Sequence, residues 1–138
     1  MKRWLIVLSL TLFLAAIAAL LWNKLGDPRE ATGGTGKGYS LITSSQVTAL
    51  LKDQKDLQIV DLREPSLFKK GHIPGAINIP FDDFKKRMNE LSTSKTIIFV
   101  CHTGPMGDVT SQMMVEKGAK KVFNLEGGMG RWNGPLTQ

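Results

Sequence analysis

Hydrophobic and polar positions follow two different patterns along this chain. The first is an uncharged, mostly apolar run from Trp4 to Trp22. A helix of that length rises roughly 28 Å, close to the hydrocarbon thickness of a bilayer. The second pattern begins near Tyr39, where short apolar runs alternate with stretches of helical spacing. Residues 39–42 predict a short strand, and Ser44 or Ser45 is placed to cap a helix carrying Val47, Leu50 and Leu51 inward. Residues 57–61 predict a buried strand and 76–80 another, stopped by Pro80. From Phe81 to Leu91 the apolar Phe81, Phe84, Met88 and Leu91 recur at helical spacing, with Lys85, Lys86 and Arg87 opposite. Residues 96–100, all β-branched or aromatic, form the strongest strand signal. A helix is expected from Asp108 to Lys117, with Val109, Met113 and Met114 inward and Gly118 closing it. Residues 121–125 predict the last strand and 129–132 a final helical turn. Strands alternating with helices predict an α/β fold with a largely parallel sheet.

The leading apolar run has Trp4 and Trp22 at its ends and Lys2, Arg3 and Lys24 outside them, as interfacial aromatics and flanking charges surround a membrane span. Basic residues crowd ahead of the run, whereas Lys24 and Arg29 mix with Asp27 and Glu30 after it. The expectation is a single-pass anchor over residues 1–24, in contact with the membrane at 4–22, whose C-terminal domain lies outside the cytoplasm. A cleaved signal, giving a secreted form, is the competing reading, since Ala16-Ile17-Ala18 can serve as a cleavage site. Against it, the apolar run continues through Ala19-Leu20-Leu21-Trp22. A buried core helix would need one polar face, and the run has none. Residues 25–38 hold Gly26, Gly33, Gly34, Gly36 and Gly38 with Pro28 and Thr35, offer no apolar face, and read as a linker. The globular domain is then 39–138.

Composition narrows the chemistry. A hydrophobic fraction of 42% excludes wholesale disorder, and a mean hydropathy of −0.07 excludes a multi-span membrane protein. The net charge is +6, but residues 39–138 hold 13 Lys/Arg against 10 Asp/Glu, a mild +3. No basic stripe is interleaved with aromatics, so no nucleic-acid partner is expected; a slight preference for small anions or a membrane surface is all that charge allows. A single cysteine excludes internal disulfides and any CxxC motif. The two histidines, His72 and His102, are too far apart in sequence to point to a protein-only metal site, and no metal or cofactor is expected.

The lone thiol stands where the strongest strand ends. Cys101 follows Val100 directly, and His102-Thr103-Gly104-Pro105-Met106-Gly107 must turn before the next helix. Open α/β sheets place ligands at the carboxyl ends of their strands. Backbone N–H groups of such a loop, with the helix N-terminus, favour an anion at the centre, hence a thiolate or persulfide. A buried structural cysteine is the alternative from position alone.

Three blocks in the domain resemble the rhodanese (thiosulfate sulfurtransferase-like) single-domain family. The first runs from Asp61-Leu62-Arg63-Glu64-Pro65 through Phe68 to Gly71-His72-Ile73-Pro74-Gly75-Ala76-Ile77-Asn78-Ile79-Pro80. The second is the loop opened by Cys101, with Gly104 in the family's glycine position, and the third is Leu125-Glu126-Gly127-Gly128 followed by Trp132. The resemblance implies a rhodanese-like fold, a five-stranded parallel sheet flanked by helices. It also implies that Cys101 is catalytic, taking a sulfane sulfur from a donor as a persulfide and passing it on. The implied donor is a small sulfur-containing anion or polysulfide, and the acceptor a thiol or cyanide-like group. His102, Thr103, Gly104, Met106 and Gly107 of the loop, with Arg63, are the candidate substrate-binding residues. Arg63 can instead pair with Asp61, while His72 and Trp132 read as structural.

The loop departs from the family. Many relatives read Cys-x-x-Gly-x-Arg-Ser, whereas here Met106 and Gly107 fill the last two positions. Pro105 removes one backbone donor, Asp108 reads as a helix cap, and His102 as a solvated loop residue. A membrane-tethered sulfurtransferase is the leading reading, with weak activity on thiosulfate. A non-enzymatic sulfur carrier or interaction module with an altered loop is the second. A phosphatase-like reaction would need an arginine six residues after the cysteine, where Gly107 stands.

Overall fold

The computed structural model describes residues 36–52 and 56–138. The expected anchor at 4–22 and most of the expected linker lie outside the described residues. Among those residues, no helix is long and apolar enough to cross a membrane.

Five strands alternate with helices. They are β1 (Ser40–Ile42), β2 (Leu57–Asp61), β3 (Ala76–Asn78), β4 (Thr96–Val100) and β5 (Val122–Leu125). The helices are α1 (Ser44–Leu50), α2 (Pro65–Lys70), α3 (Phe81–Arg87) and α4 (Pro105–Glu116), with 3₁₀ turns at Met88–Glu90 and Gly128–Arg131. The sheet order is β1-β5-β4-β2-β3 and every pairing is parallel. All strands therefore point to one pole of the domain, and β4, with a neighbour on each side, stands at the middle.

Residue alternation in β4 explains the two-layer core. Ile97, Phe99 and then Cys101 join one apolar cluster with Phe84, Leu91 and Met114 from the α3 and α4 side. Ile98 and Val100 join the other, with Val47 of α1, Ile59 and Leu125. A strand covered on both faces reads as a continuous apolar run, as 97–100 does. Phe84 meets Phe99 edge-on at 5.3 Å between ring centres, a favoured aromatic geometry.

Four local expectations are corrected. Thr43, not Ser44 or Ser45, caps α1: its side chain accepts from the Gln46 N–H while Gln46 Oε1 accepts from the Thr43 N–H, a reciprocal capping box. Helix α2 was not expected, because it buries no residue and so leaves no apolar period to read. Helix α4 begins at Pro105, three residues early, with proline in its first turn where the missing N–H costs nothing. Val109 accordingly faces outward at 50% exposure, while Gly107, Thr110, Ser111 and Met114 form the buried stripe.

Candidate active site

Cys101 is the first residue after β4, and its side chain is 2% exposed. Its neighbour across the sheet is fixed, because the Leu62 N–H donates to the Val100 carbonyl at 2.7 Å. The chain then turns through exposed His102 and Thr103 to Gly104. Gly104 adopts φ +125°, a conformation that side chains rarely take, and its N–H points back to Cys101 Sγ at 2.9 Å. Helix α4 starts at once, leaving the amides of Met106 and Gly107 without intrahelical carbonyls, as in any first turn. The dipole of this 12-residue helix adds partial positive charge at the same end. The thiol thus sits where a sulfur anion finds a donor and a favourable field.

Each motif block supports this loop from a different side. Gly127 and Gly128 take φ +72° and +56°, and a Cβ on Gly128 would lie 2.4 Å from the Cys101 carbonyl oxygen. That close approach lets the Met129 and Gly130 N–H groups donate to the Cys101 and His102 carbonyls at 2.8 and 2.9 Å. On the other side Asn78 Nδ2 donates to the Asp61 and Arg63 carbonyls. The Arg63 guanidinium is held by both Asp61 oxygens, at 2.6 Å for the shortest contact, and by the Gly71 carbonyl at 2.8 Å. The structure therefore shows the ion pair that the sequence allowed for Arg63. His72 is likewise structural: Nδ1 lies 2.9 Å from the Phe68 carbonyl, its ring stacks on Phe68, and its backbone pairs with Thr137.

Two further residues complete the site, and sequence reasoning missed both. Asn124, buried in β5, donates through Nδ2 to the Gly104 carbonyl and to Asp108 Oδ1, each at 2.9 Å. The hydroxyl of Tyr39 donates to that same Asp108 oxygen at 2.9 Å. Asp108 is thus no helix cap; Gly104 holds that position. Asp108 joins Tyr39 to Asn124, which holds the carbonyl of Gly104, the residue whose N–H meets the sulfur. Burial, and then the carboxylate of Asp108, push the Tyr39 hydroxyl up to about 12. The only hint in the sequence is a polar residue inside the apolar run Val122-Phe123-Asn124-Leu125.

Of the candidate binding residues, His102, Thr103 and Met106 are exposed around the thiol, with Met106 at 43%. Gly107 is buried against Asn124 instead. The rim therefore carries an imidazole, a hydroxyl and a thioether, and Arg63 is turned to Asp61.

A family model described as a rhodanese-like domain matches residues 43–134. The chain belongs to the rhodanese-like domain family. Thiosulfate sulfurtransferase GlpE of Pseudoalteromonas translucida is 30% identical over 100 residues, 72% of this chain and 94% of that protein. YrkF of Bacillus subtilis, whose name marks it as a proposed sulfur carrier, is 39% identical over 80 residues, 58% of this chain. The chain matches only 43% of YrkF and 63% of YqhL, another Bacillus subtilis relative. A rhodanese-like domain protein from Staphylococcus aureus superposes with a TM-score of 0.63 at 29% identity, covering 70% of this chain and 94% of its own. A rhodanese-related protein from Thermoplasma volcanium, at 23% identity and a TM-score of 0.62, covers 70% and 96% and shares the fold.

Proposed function

We propose that this rhodanese-like domain is a sulfurtransferase that carries sulfane sulfur on Cys101 and is tethered to the cell membrane, outside the cytoplasm, by residues 4–22. The observation that carries the chemistry is the Gly104 N–H at 2.9 Å from a thiol at the end of the central strand. In the first half-reaction the Cys101 thiolate attacks the outer sulfur of thiosulfate. The sulfur–sulfur bond breaks, sulfite leaves with its electron pair, and a cysteine persulfide anion remains. In the second, an acceptor thiolate or cyanide attacks the terminal sulfur, and the Cys101 thiolate leaves, restored. No external oxidant or reductant is needed. The N–H that meets sulfur in the resting thiol is placed for the persulfide as well, and charged acceptors make such bonds stronger than neutral ones.

The altered rim shapes donor choice. Met106 offers apolar contact where many relatives hold arginine, which fits a neutral or long-chain polysulfide better than a small dianion. The same feature favours the second reading, a sulfur carrier without efficient thiosulfate turnover. Incubation with thiosulfate and cyanide distinguishes the two, by the mass of Cys101 and the release of thiocyanate. Gain of one sulfur with turnover supports the enzyme, and gain without turnover supports the carrier. Cys101→Ser is expected to fold and to lose all transfer; residual turnover in that variant would remove the covalent route.

A further inference from the structure

The parallel sheet separates the charges of the domain into two poles. Chain segments that lead into strands lie at the pole away from Cys101, and they carry lysine. Lys95 directly precedes β4, Lys120 and Lys121 precede β5, Lys117 ends α4, Lys52 follows α1, and Lys37 lies ahead of β1. The order β1-β5-β4 sets three of these segments side by side. Described carboxylates at this pole are Asp56, Glu116 and Glu90, the last held by Arg87 at 2.8 Å. Segments that leave the strands hold more acid than base: Asp61 and Glu64 beside Arg63 at β2, Asp82 and Asp83 after β3, Asp108 after β4, and Glu126, 4.0 Å from Arg131, after β5. The mild +3 of the domain is therefore unevenly distributed along its strands.

We propose that the lysine pole is a docking surface for an anionic phospholipid bilayer, which holds the mouth of Cys101 away from the membrane. Charge complementarity is the first argument. Each lysine near an anionic bilayer strengthens binding by about fivefold, a gain that added salt screens within a few ångströms of the surface. Chain connection is the second, and it rests on the reading of residues 4–22 as an anchor. The described chain reaches this pole through Gly36 and Lys37. Only the 14 residues 25–38, five of them glycine, separate Lys24 from Tyr39. The character of the surface is the third. Its cations are lysines, point charges without the planar fork of arginine. Among the described residues no large aromatic is exposed, which removes the stacking platforms that single-stranded nucleic acids use. Docked in this way, the domain stands Cys101 about one strand length, ~16 Å, above the lysines, open to a soluble donor or acceptor.

The test uses the full chain reconstituted in phosphatidylcholine vesicles with or without phosphatidylglycerol, followed by acetylation of lysines read residue by residue. The same lysines read in phosphatidylcholine vesicles serve as the references. With phosphatidylglycerol, acetylation of Lys95, Lys117, Lys120 and Lys121 is expected to fall severalfold relative to the references and to recover at high salt. Replacing three of them (K117Q, K120Q, K121Q) should abolish the protection of Lys95 and leave sulfur transfer unchanged. Equal acetylation of these lysines in both vesicles would overturn the proposal, as would protection by duplex DNA but not by phosphatidylglycerol. A chain that floats only with phosphatidylglycerol vesicles would refute the anchor and still support the docking surface. A chain that floats with both, without protection at the pole, would keep the anchor and refute the docking. Neither result depends on Cys101 chemistry.

Discussion

Gly107 sits where the first turn of α4 crosses β5, and a Cβ there would lie 1.9 Å from Asn124 Oδ1. Alanine favours a helix over glycine by about 1 kcal/mol, while forcing atoms into a packed site costs about 1–3 kcal/mol. At so short a distance the clash wins, and Gly107→Ala is expected to destabilise the domain by about 2 kcal/mol in urea denaturation. Asn124→Ala removes the obstacle. It also strips a donor from the Gly104 carbonyl, at a cost of about 1–3 kcal/mol. In that background Gly107→Ala should become neutral or stabilising. The same cost in both backgrounds would mean that the Cβ meets something other than Asn124. Serine, common at this place in the family, could enter only if Asn124 left or turned. The departure at residue 107 and the hydrogen bonds of residue 124 are therefore one structural choice. Met106 is a separate matter, since its side chain lies on the exposed rim. A charge-assisted hydrogen bond to thiosulfate is worth roughly 1.5–3 kcal/mol, so Met106→Arg should raise kcat/KM for thiosulfate about tenfold or more. An unchanged kcat/KM, with Cys101 still accepting sulfur, would show that missing charge does not limit this loop.

Elements meet at Tyr39, which ties the start of β1 to α4 through Asp108. Its hydroxyl is pushed up to about 12 by burial and then by the carboxylate, whereas in the unfolded chain it titrates near 10. A folded value above the unfolded one means that this contribution is whole below about pH 10 and is lost as pH rises through about 12. Denaturation at stepped pH should therefore show the advantage of wild type over Tyr39→Phe as constant below about pH 10 and shrinking above it. A difference independent of pH through that window would exclude ionisation of Tyr39 as a stability determinant. That contact was not legible in the sequence, because it joins residues 69 positions apart. The strands were legible, since each is a short apolar run bounded by turn residues, and their parallel order followed from the helices between them. Cys101 and Gly104 were legible for the same reason: the position at the end of the central strand needs no side-chain detail. Helix α2 was not, having no buried face. The start of α4 was misjudged because Gly104-Pro105 reads equally as a turn and as a helix opening.

At the scale of the whole molecule, the described residues hold two apolar clusters. Both apolar clusters close among themselves, with α3 and α4 over one face of the sheet and α1 over the other. Gly38 also belongs with the domain, since a Cβ there would come within 2.8 Å of Val115. A chain begun at Gly36 is therefore expected to be soluble and folded and to transfer sulfur as the full chain does. Aggregation of that chain would mean that residues before Gly36 complete the core. The full chain, in contrast, should stay with membranes through alkaline extraction, which strips proteins held by charge alone. This separates the two modes of attachment. The lysine pole is screened by salt, whereas an apolar run of about 19 residues spanning hydrocarbon is not. Release by alkali would leave the pole as the sole attachment. A membrane-free form whose N-terminal mass begins near Ala19 would show instead that the run is a signal, cleaved after delivering the same domain to the same side.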